Sequence, residues 1–238
     1  VLLALWSPKG GSGTSVVAAA LALVAAGHGE TRLADLGGDQ YSILGLPPAR
    51  RGLAADGLVA DGLAAWLAAG PSAPTEWLDE LALPVVPGLS LLPRGDGAVD
   101  AASPESGAAL AIALRDGAPT VLDAGAGDAP AARAAVEVAD RALMVTRPCY
   151  LALRRAVGDP RLARSSGAIL IDEPGRVLGV DDVAAVLGVP VVGRFPVRAE
   201  IARAVDAGVL RDRLPAALAI PASAVLDGLA DATGRWAA

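Results

Sequence analysis

Apolar positions along this chain come in short runs of strand length, separated by longer stretches with helical spacing, and the alternation persists almost to the C-terminus. Runs such as "VLLALW" and "ALMV" carry no polar interruption. Strands covered by helices on both faces read this way, whereas a sheet with one wet face alternates apolar and polar positions. The pattern predicts strands over residues 1–6, 31–35, 89–93, 120–123, 142–146, 168–171 and 191–195. Helices are predicted over 14–26, 104–115, 130–139, 150–157, 181–187 and 199–207. Pro104 and Pro130 stand at helix starts, and Gly27, Gly117, Gly188 and Gly208 follow helix ends, the asymmetry expected of helix termini. Alternating elements of these lengths predict βαβ units. The expected fold class is therefore α/β, a doubly wound, mostly parallel sheet flanked by helices, in a single domain over 1–238.

Residues 41–88 break the rhythm, with Trp66 and Trp77 on helical patterns, and are expected to form a helical elaboration at the sheet edge. "ADGL" occurs at 55–58 and again at 60–63, too short a recurrence for a repeat architecture. Residues 221–238 fit one more helix, with Val225, Leu226, Leu229 and Trp236 directed inward. Its polar positions include Asp227, Asp231 and a single cation, Arg235, which is unlike a membrane-surface anchor.

Composition narrows the function classes. No apolar stretch reaches the roughly 18–20 residues that span a bilayer, and the first run has neither the basic flank nor the cleavage site of a secretory signal, so a cytoplasmic location is expected. Cys149 is the single cysteine, which leaves no internal disulfide and no cysteine set for zinc or an iron–sulfur cluster. A net charge of −6 disfavours a chain built to coat nucleic acid or anionic lipid. With four Trp, two Tyr and one Phe, few side chains could stack on single-stranded bases. Arg154, Arg155, Arg194, Arg198, Arg203, Arg211 and Arg213 are spread over several elements and read as surface or ion-pair arginines rather than a DNA-binding stripe. His28, just past Gly27, reads as a helix-end cation.

One stretch carries chemistry: "SPKGGSGTS", residues 7–15, between the first strand and the first helix. A glycine loop joining a strand to a helix aims backbone N–H groups and the positive end of the helix dipole at one point, which suits a di- or triphosphate. Of the 20 basic residues only Lys9 is lysine, and it lies in this loop, where a compact ammonium fits beside phosphate more easily than a planar guanidinium. Ser15 holds the place from which a hydroxyl reaches Mg²⁺.

"KGGSGTS" resembles the deviant Walker A loop of the ParA/MinD family, whose pattern is lysine, two glycines, any residue, glycine, lysine and then Ser or Thr. The resemblance continues through "TRLADLGGDQ", a second strand ending in aspartate, and "TVLDAGAG", a switch strand with Asp123 and Gly127. It extends through "ADRALMVTRPCYLALRRA" and "LGVPVVGRFPVRAEIARAVDAG" to cover most of the chain in the family's order. Within the family the sequence is most similar to the CpaE/TadZ group and to septum-site-determining relatives, without a receiver-like domain in front.

The resemblance implies an ATP-sandwich homodimer. Lys9 would cross to the partner's nucleotide. Gly10, Gly11, Ser12, Gly13 and Thr14 would line the phosphates, with Gly11 and Gly13 donating N–H groups, and Ser15 and Asp123 would hold Mg²⁺. Asp35 would lie near the γ-phosphate, and Asp172 and Pro196 near the base. Departures qualify this. Thr14 stands where the loop has its second lysine, removing a charge-assisted contact worth about 1.5–3 kcal/mol. That weakens ATP binding by roughly ten- to a hundredfold and hydrolysis by more. Gly37 stands where the family often has a second aspartate, and Asp172 and Glu173 replace an Asn-Arg pair. Three functions fit: an ATP-binding, dimerising positioning protein for septum, pilus or secretion machinery, recruited by a protein partner, with weak or absent hydrolysis; a nucleotide-independent scaffold; or an active DNA-partition ATPase, which the acidic composition disfavours.

Overall fold

A computed structural model describes residues 1–46 and 62–233 of the chain. Its centre is an eight-stranded sheet: β1 (Leu2–Trp6), β2 (Thr31–Asp35), β3 (Leu83–Val86), β4 (Leu89–Leu92), β5 (Thr120–Asp123), β6 (Arg141–Thr146), β7 (Gly167–Asp172) and β8 (Val191–Pro196). The spatial order is β3-β4-β2-β5-β1-β6-β7-β8. All neighbours are parallel except β3, which runs antiparallel to β4 at the edge. The helices are α1 (Thr14–Ala26), α2 (Gln40–Ile43), α3 (Leu63–Ala68), α4 (Trp77–Leu81), α5 (Pro104–Asp116), α6 (Pro130–Val138), α7 (Tyr150–Val157), α8 (Val180–Leu187), α9 (Ala199–Asp206) and α10 (Ala216–Thr233).

The uninterrupted apolar strands have a direct cause. Along β1, Leu2, Ala4 and Trp6 enter the core beneath α5 and α6, while Leu3 and Leu5 enter the core beneath α1 and α10. Both faces are dry, so a polar residue on either would lose its water without gaining a partner. On one face α5 and α6 approach so closely that a Cβ on Gly107 would lie 2.0 Å from the Ala131 carbonyl oxygen. On the other, α10 crosses β8 where Gly193 leaves room for Val225.

The structure extends the sequence reading in two places. Residues 62–88 supply α3 and α4, as their pattern predicts, but also β3, whose Pro84 argues against a strand. An edge strand tolerates proline because its outer N–H groups have no ladder partner. The last helix begins at Ala216 rather than 221, with Pro221 inside it. Val225, Leu226 and Leu229 are buried as expected. Trp236, Arg235, the first "ADGL" and the first half of the second lie outside the described residues, as does the side chain of Asp231. Among the described residues no helix is long and apolar enough to cross a membrane.

Candidate functional site

The central strand β1 ends at Trp6, and the chain turns through Ser7–Gly13 into α1 at the C-terminal edge of the sheet, beside the point where strand order reverses. Open α/β sheets form their crevices there. Gly11 (φ +74°) and Gly13 (φ +84°) take left-handed conformations that other residues adopt only with strain. The loop is tied to itself by the Ser7 and Ser12 hydroxyls, which both donate to the Lys9 carbonyl (2.8 and 2.7 Å). It is tied to the end of β5 by the Ser7 N–H donating to Gly125 O (3.0 Å). No side chain caps α1 and its first turn holds no acidic residue. Its first N–H groups therefore have no intrahelical acceptor, and the helix dipole is uncompensated. A cleft of about 430 Å³ opens over these groups. Cβ atoms on Gly10 or Gly11 would meet nothing within 4 Å, so the loop borders open space.

Beneath the cleft lie two carboxylates. Asp35 and Asp123 end adjacent strands in register and are almost fully buried. Asp35 accepts from the N–H groups of Gly38 (2.6 Å) and Gln40 (3.0 Å). Burial, together with the neighbouring Asp123 charge, still pushes its carboxyl up to about 7. Asp123 accepts from the Gln40 amide (2.8 Å) and the Gly125 N–H (3.0 Å), and the nearby Ser15 hydroxyl also favours its ionised form. Burial raises its pKa above the ordinary carboxylate range against these donors. The same Gln40 amide donates to Ser15 O (2.9 Å), while its buried Oε1 has no hydrogen-bond partner. Gln40 thus joins the start of α1 to the end of β5. Gly37 packs over Asp123: a Cβ there would come within 3.2 Å of Asp123 Oδ2. A larger residue in that position would press on the carboxylate, which accounts physically for the glycine.

The structure brings Gly10, Gly11, Ser12, Gly13, Thr14 and Ser15 together along the cleft, with Lys9 on the same loop and the buried Asp123 close to Ser15. It separates the others. Asp35 sits behind the cleft wall with both oxygens held by backbone, whereas exposed Asp39 lines the cleft itself. Asp172 pairs with Arg194, and neither Asp172 nor Pro196 lines the cleft. Glu173 pairs with Arg147 and Arg176. Sequence reading missed Gln40 and Arg147, which reach the site only through folding; the lone signal was the position of each just beyond a strand. It also missed Arg161. This side chain is 2% exposed and chelates Asp159 through Nε (3.0 Å) and Nη2 (2.7 Å). It donates to Gly127 O (3.0 Å) and stacks 4.4 Å from the Trp6 ring centre, bracing the loop's flank against the residues after β5.

The residues fit a magnesium nucleotide: uncapped N–H groups face an open cleft, Lys9 lies on the loop that borders it, and the Ser15 hydroxyl lines it with the buried Asp123 carboxylate, a second hard oxygen donor, behind. Among the described residues no cluster of three or more His, Cys, Asp or Glu could hold a metal by itself, so such a cation would need ligand oxygens as well.

Strand, glycine loop, helix and sheet order together define a P-loop domain. Its particular form is that of the ParA/MinD ATPases. A ParA family ATPase from Chlorobium tepidum is similar with a TM-score of 0.74 at 21% identity, covering 93% of this chain and 96% of the other. The septum site-determining protein MinD from Pyrococcus horikoshii, complexed with Mg-ADP, gives 0.74 at 19%, covering 99% and 98%. A single-residue variant of McdA from Cyanothece in complex with ATP gives 0.66 at 17%, covering 96% and 95%. No protein-family model matches the chain, and no curated protein does. The likeness establishes the fold.

Proposed function

We propose that the protein binds Mg-ATP in this cleft, dimerises in a nucleotide-dependent way and acts as a positioning protein of the ParA/MinD type, with weak or absent hydrolysis. The observation that carries this is the uncapped start of α1 facing a cleft with Lys9 in its loop and the Ser15–Asp123 pair at its side. The backbone N–H groups would hold the phosphates, and Lys9 would add the charge of the loop's single lysine. Ser15 and Asp123 would hold Mg²⁺, which supplies neutralisation of phosphate charge when bound. Solved structures of this fold that carry Mg-ADP or ATP support the choice of ligand. A MinC:MinD complex among the structural neighbours supports a protein partner as the means of recruitment to a cellular site.

Weak hydrolysis follows from the site's chemistry. Phosphoryl transfer depends on positioning and on charge stabilisation. Thr14 provides no cation, Gly37 no carboxylate, and Asp35 is held by backbone below the cleft. These three residues also favour a second reading, a scaffold that keeps the fold and dimerises without nucleotide. A DNA-partition role finds less support: two of the arginines it would need, Arg194 and Arg211, face acidic partners.

Calorimetric titration of ATP, ADP and GTP with and without Mg²⁺, on the wild type and Lys9→Ala, with light scattering for dimer formation, tests the proposal. Micromolar to sub-millimolar ATP binding that drives dimerisation and is lost in Lys9→Ala is the expected result. No binding at millimolar nucleotide, with an unchanged dimer, would leave the scaffold reading.

A further inference from the structure

We infer that Arg147 supplies the phosphate-binding cation that Thr14 does not. The inference rests on the nucleotide reading above and assigns a residue that the loop motif does not contain. Arg147 follows the last residue of β6, next to the central strand, and its side chain lines the same cleft as Gly10–Val16. Its main chain is fixed at the strand end, because its carbonyl accepts from the Cys149 N–H (2.8 Å) and the Thr146 hydroxyl (3.3 Å).

The charge balance at this mouth points to an anionic guest. Glu173 is shared by Arg147 and Arg176, so one carboxylate faces two guanidinium groups and the three together carry a net positive charge. Arg176 can keep Glu173 paired while Arg147 turns its other donors elsewhere. One of those, Nε, is buried and has no acceptor in the structure. A buried guanidinium N–H without a partner is costly, so the pose paired with Glu173 leaves Arg147 incompletely satisfied while the residue borders the cleft. A guanidinium also presents donors in a planar fork that matches phosphate oxygens. Its stem starts from the end of β6, and it borders the same cleft as Thr14 at the start of α1. The guest class is therefore a polyphosphate, the part of the nucleotide nearest the loop.

The test is calorimetric titration of Mg-ATP and of inorganic tripolyphosphate into the full chain, Arg147→Met, Arg147→Lys and, as a control, Arg115→Met. Arg115 pairs with Asp140 at the opposite end of the sheet. The expected result is a loss of about ten- to a hundredfold in affinity for both ligands in Arg147→Met. Arg147→Lys should recover a large part of it, and the control should match wild type. Equal binding by Arg147→Met and wild type would overturn the inference while leaving the nucleotide reading in place; a wild type that binds neither ligand would overturn both. Loss of Mg-ATP with unchanged tripolyphosphate affinity would move Arg147 to the base side and also overturn it. Melting curves accompany each variant, and if Arg147→Met does not fold, Arg147→Gln reads the same loss of charge with a hydrogen-bonding side chain retained.

Discussion

Asp35 and Asp123 face each other from the last positions of β2 and β5, two carboxylates buried side by side at the base of the cleft. Like charges at such range in a dry setting oppose each other's ionisation. The pair therefore stores electrostatic repulsion that pH or a cation can relieve.

The first consequence is a stability that falls as pH rises. The Asp35 carboxyl ionises at about 7 in the folded chain against 3.8 as an ordinary carboxyl. Between those values the folded state holds a proton that the unfolded state has released, so stability is full below the lower value and is lost as pH climbs to the upper. Each pH step in this window is worth up to about 1.4 kcal/mol. Urea melts of the nucleotide-free protein should give lower stability at pH 8 than at pH 5 by a few kcal/mol, and Asp35→Asn should reduce that slope, Asp123 adding to it in the same sense. A stability that rises over the same range would contradict the assignment.

Magnesium should act on the same pair in the opposite sense. A cation held by Asp123 would lower the neighbouring Asp35 carboxyl, which ionises at about 7, so binding Mg-ATP near that pH should release protons. Titrations near pH 7 in two buffers of different ionisation heat measure this directly. Removing Mg²⁺ with a chelator should weaken ATP binding in wild type but have little further effect in Ser15→Ala or Asp123→Asn. An Asp123→Asn protein with undiminished Mg²⁺ dependence would remove that residue as a ligand.

Packing between α5 and α6 sets a third expectation. Gly107→Ala would drive a methyl to 2.0 Å from the Ala131 carbonyl oxygen and should destabilise by about 1–3 kcal/mol through helix displacement. Gly228, within α10, has nothing within 4 Å of its added Cβ, and Gly228→Ala should stabilise by about 0.5–1 kcal/mol. Opposite signs in parallel thermal melts verify the close contact at Gly107 and the open space at Gly228.

Arg161→Met should be the most damaging of the arginine substitutions. It removes a buried guanidinium that binds Asp159 through two nitrogens, holds Gly127 and stacks on Trp6. Leaving the carboxylate without its partner should cost about 3 kcal/mol. Hydrogen exchange should also speed up around Ala124–Asp128 if Arg161 fixes the segment after β5, whereas protection there equal to wild type would limit Arg161 to a purely local role.

Much of this architecture was legible because its causes are local. Seven strands, the helix after the loop and the glycine loop itself follow from dry apolar runs, helix-end glycines and neighbours along the chain. The register that sets Asp35 beside Asp123 was not legible, nor was the reach of Gln40, which is 83 residues from the carboxylate it holds. Sequence resemblance put Asp35 near the γ-phosphate, but the backbone N–H groups of Gly38 and Gln40 occupy its oxygens and leave Asp39 at the cleft. β3 lies within the stretch expected to be a helical elaboration, and its Pro84 fits a strand because the strand is at the sheet edge.

The sequence by itself determined the alternation of elements and the chemistry of the loop, since periodicity and glycine conformations act over a few residues. Only the tertiary structure decided which carboxylate is buried, that Gly37 closes over Asp123, and that Arg147 and Arg161 converge on opposite sides of the loop. Those outcomes depend on strand order and on desolvation, and both come into being when distant segments pack together and exclude water.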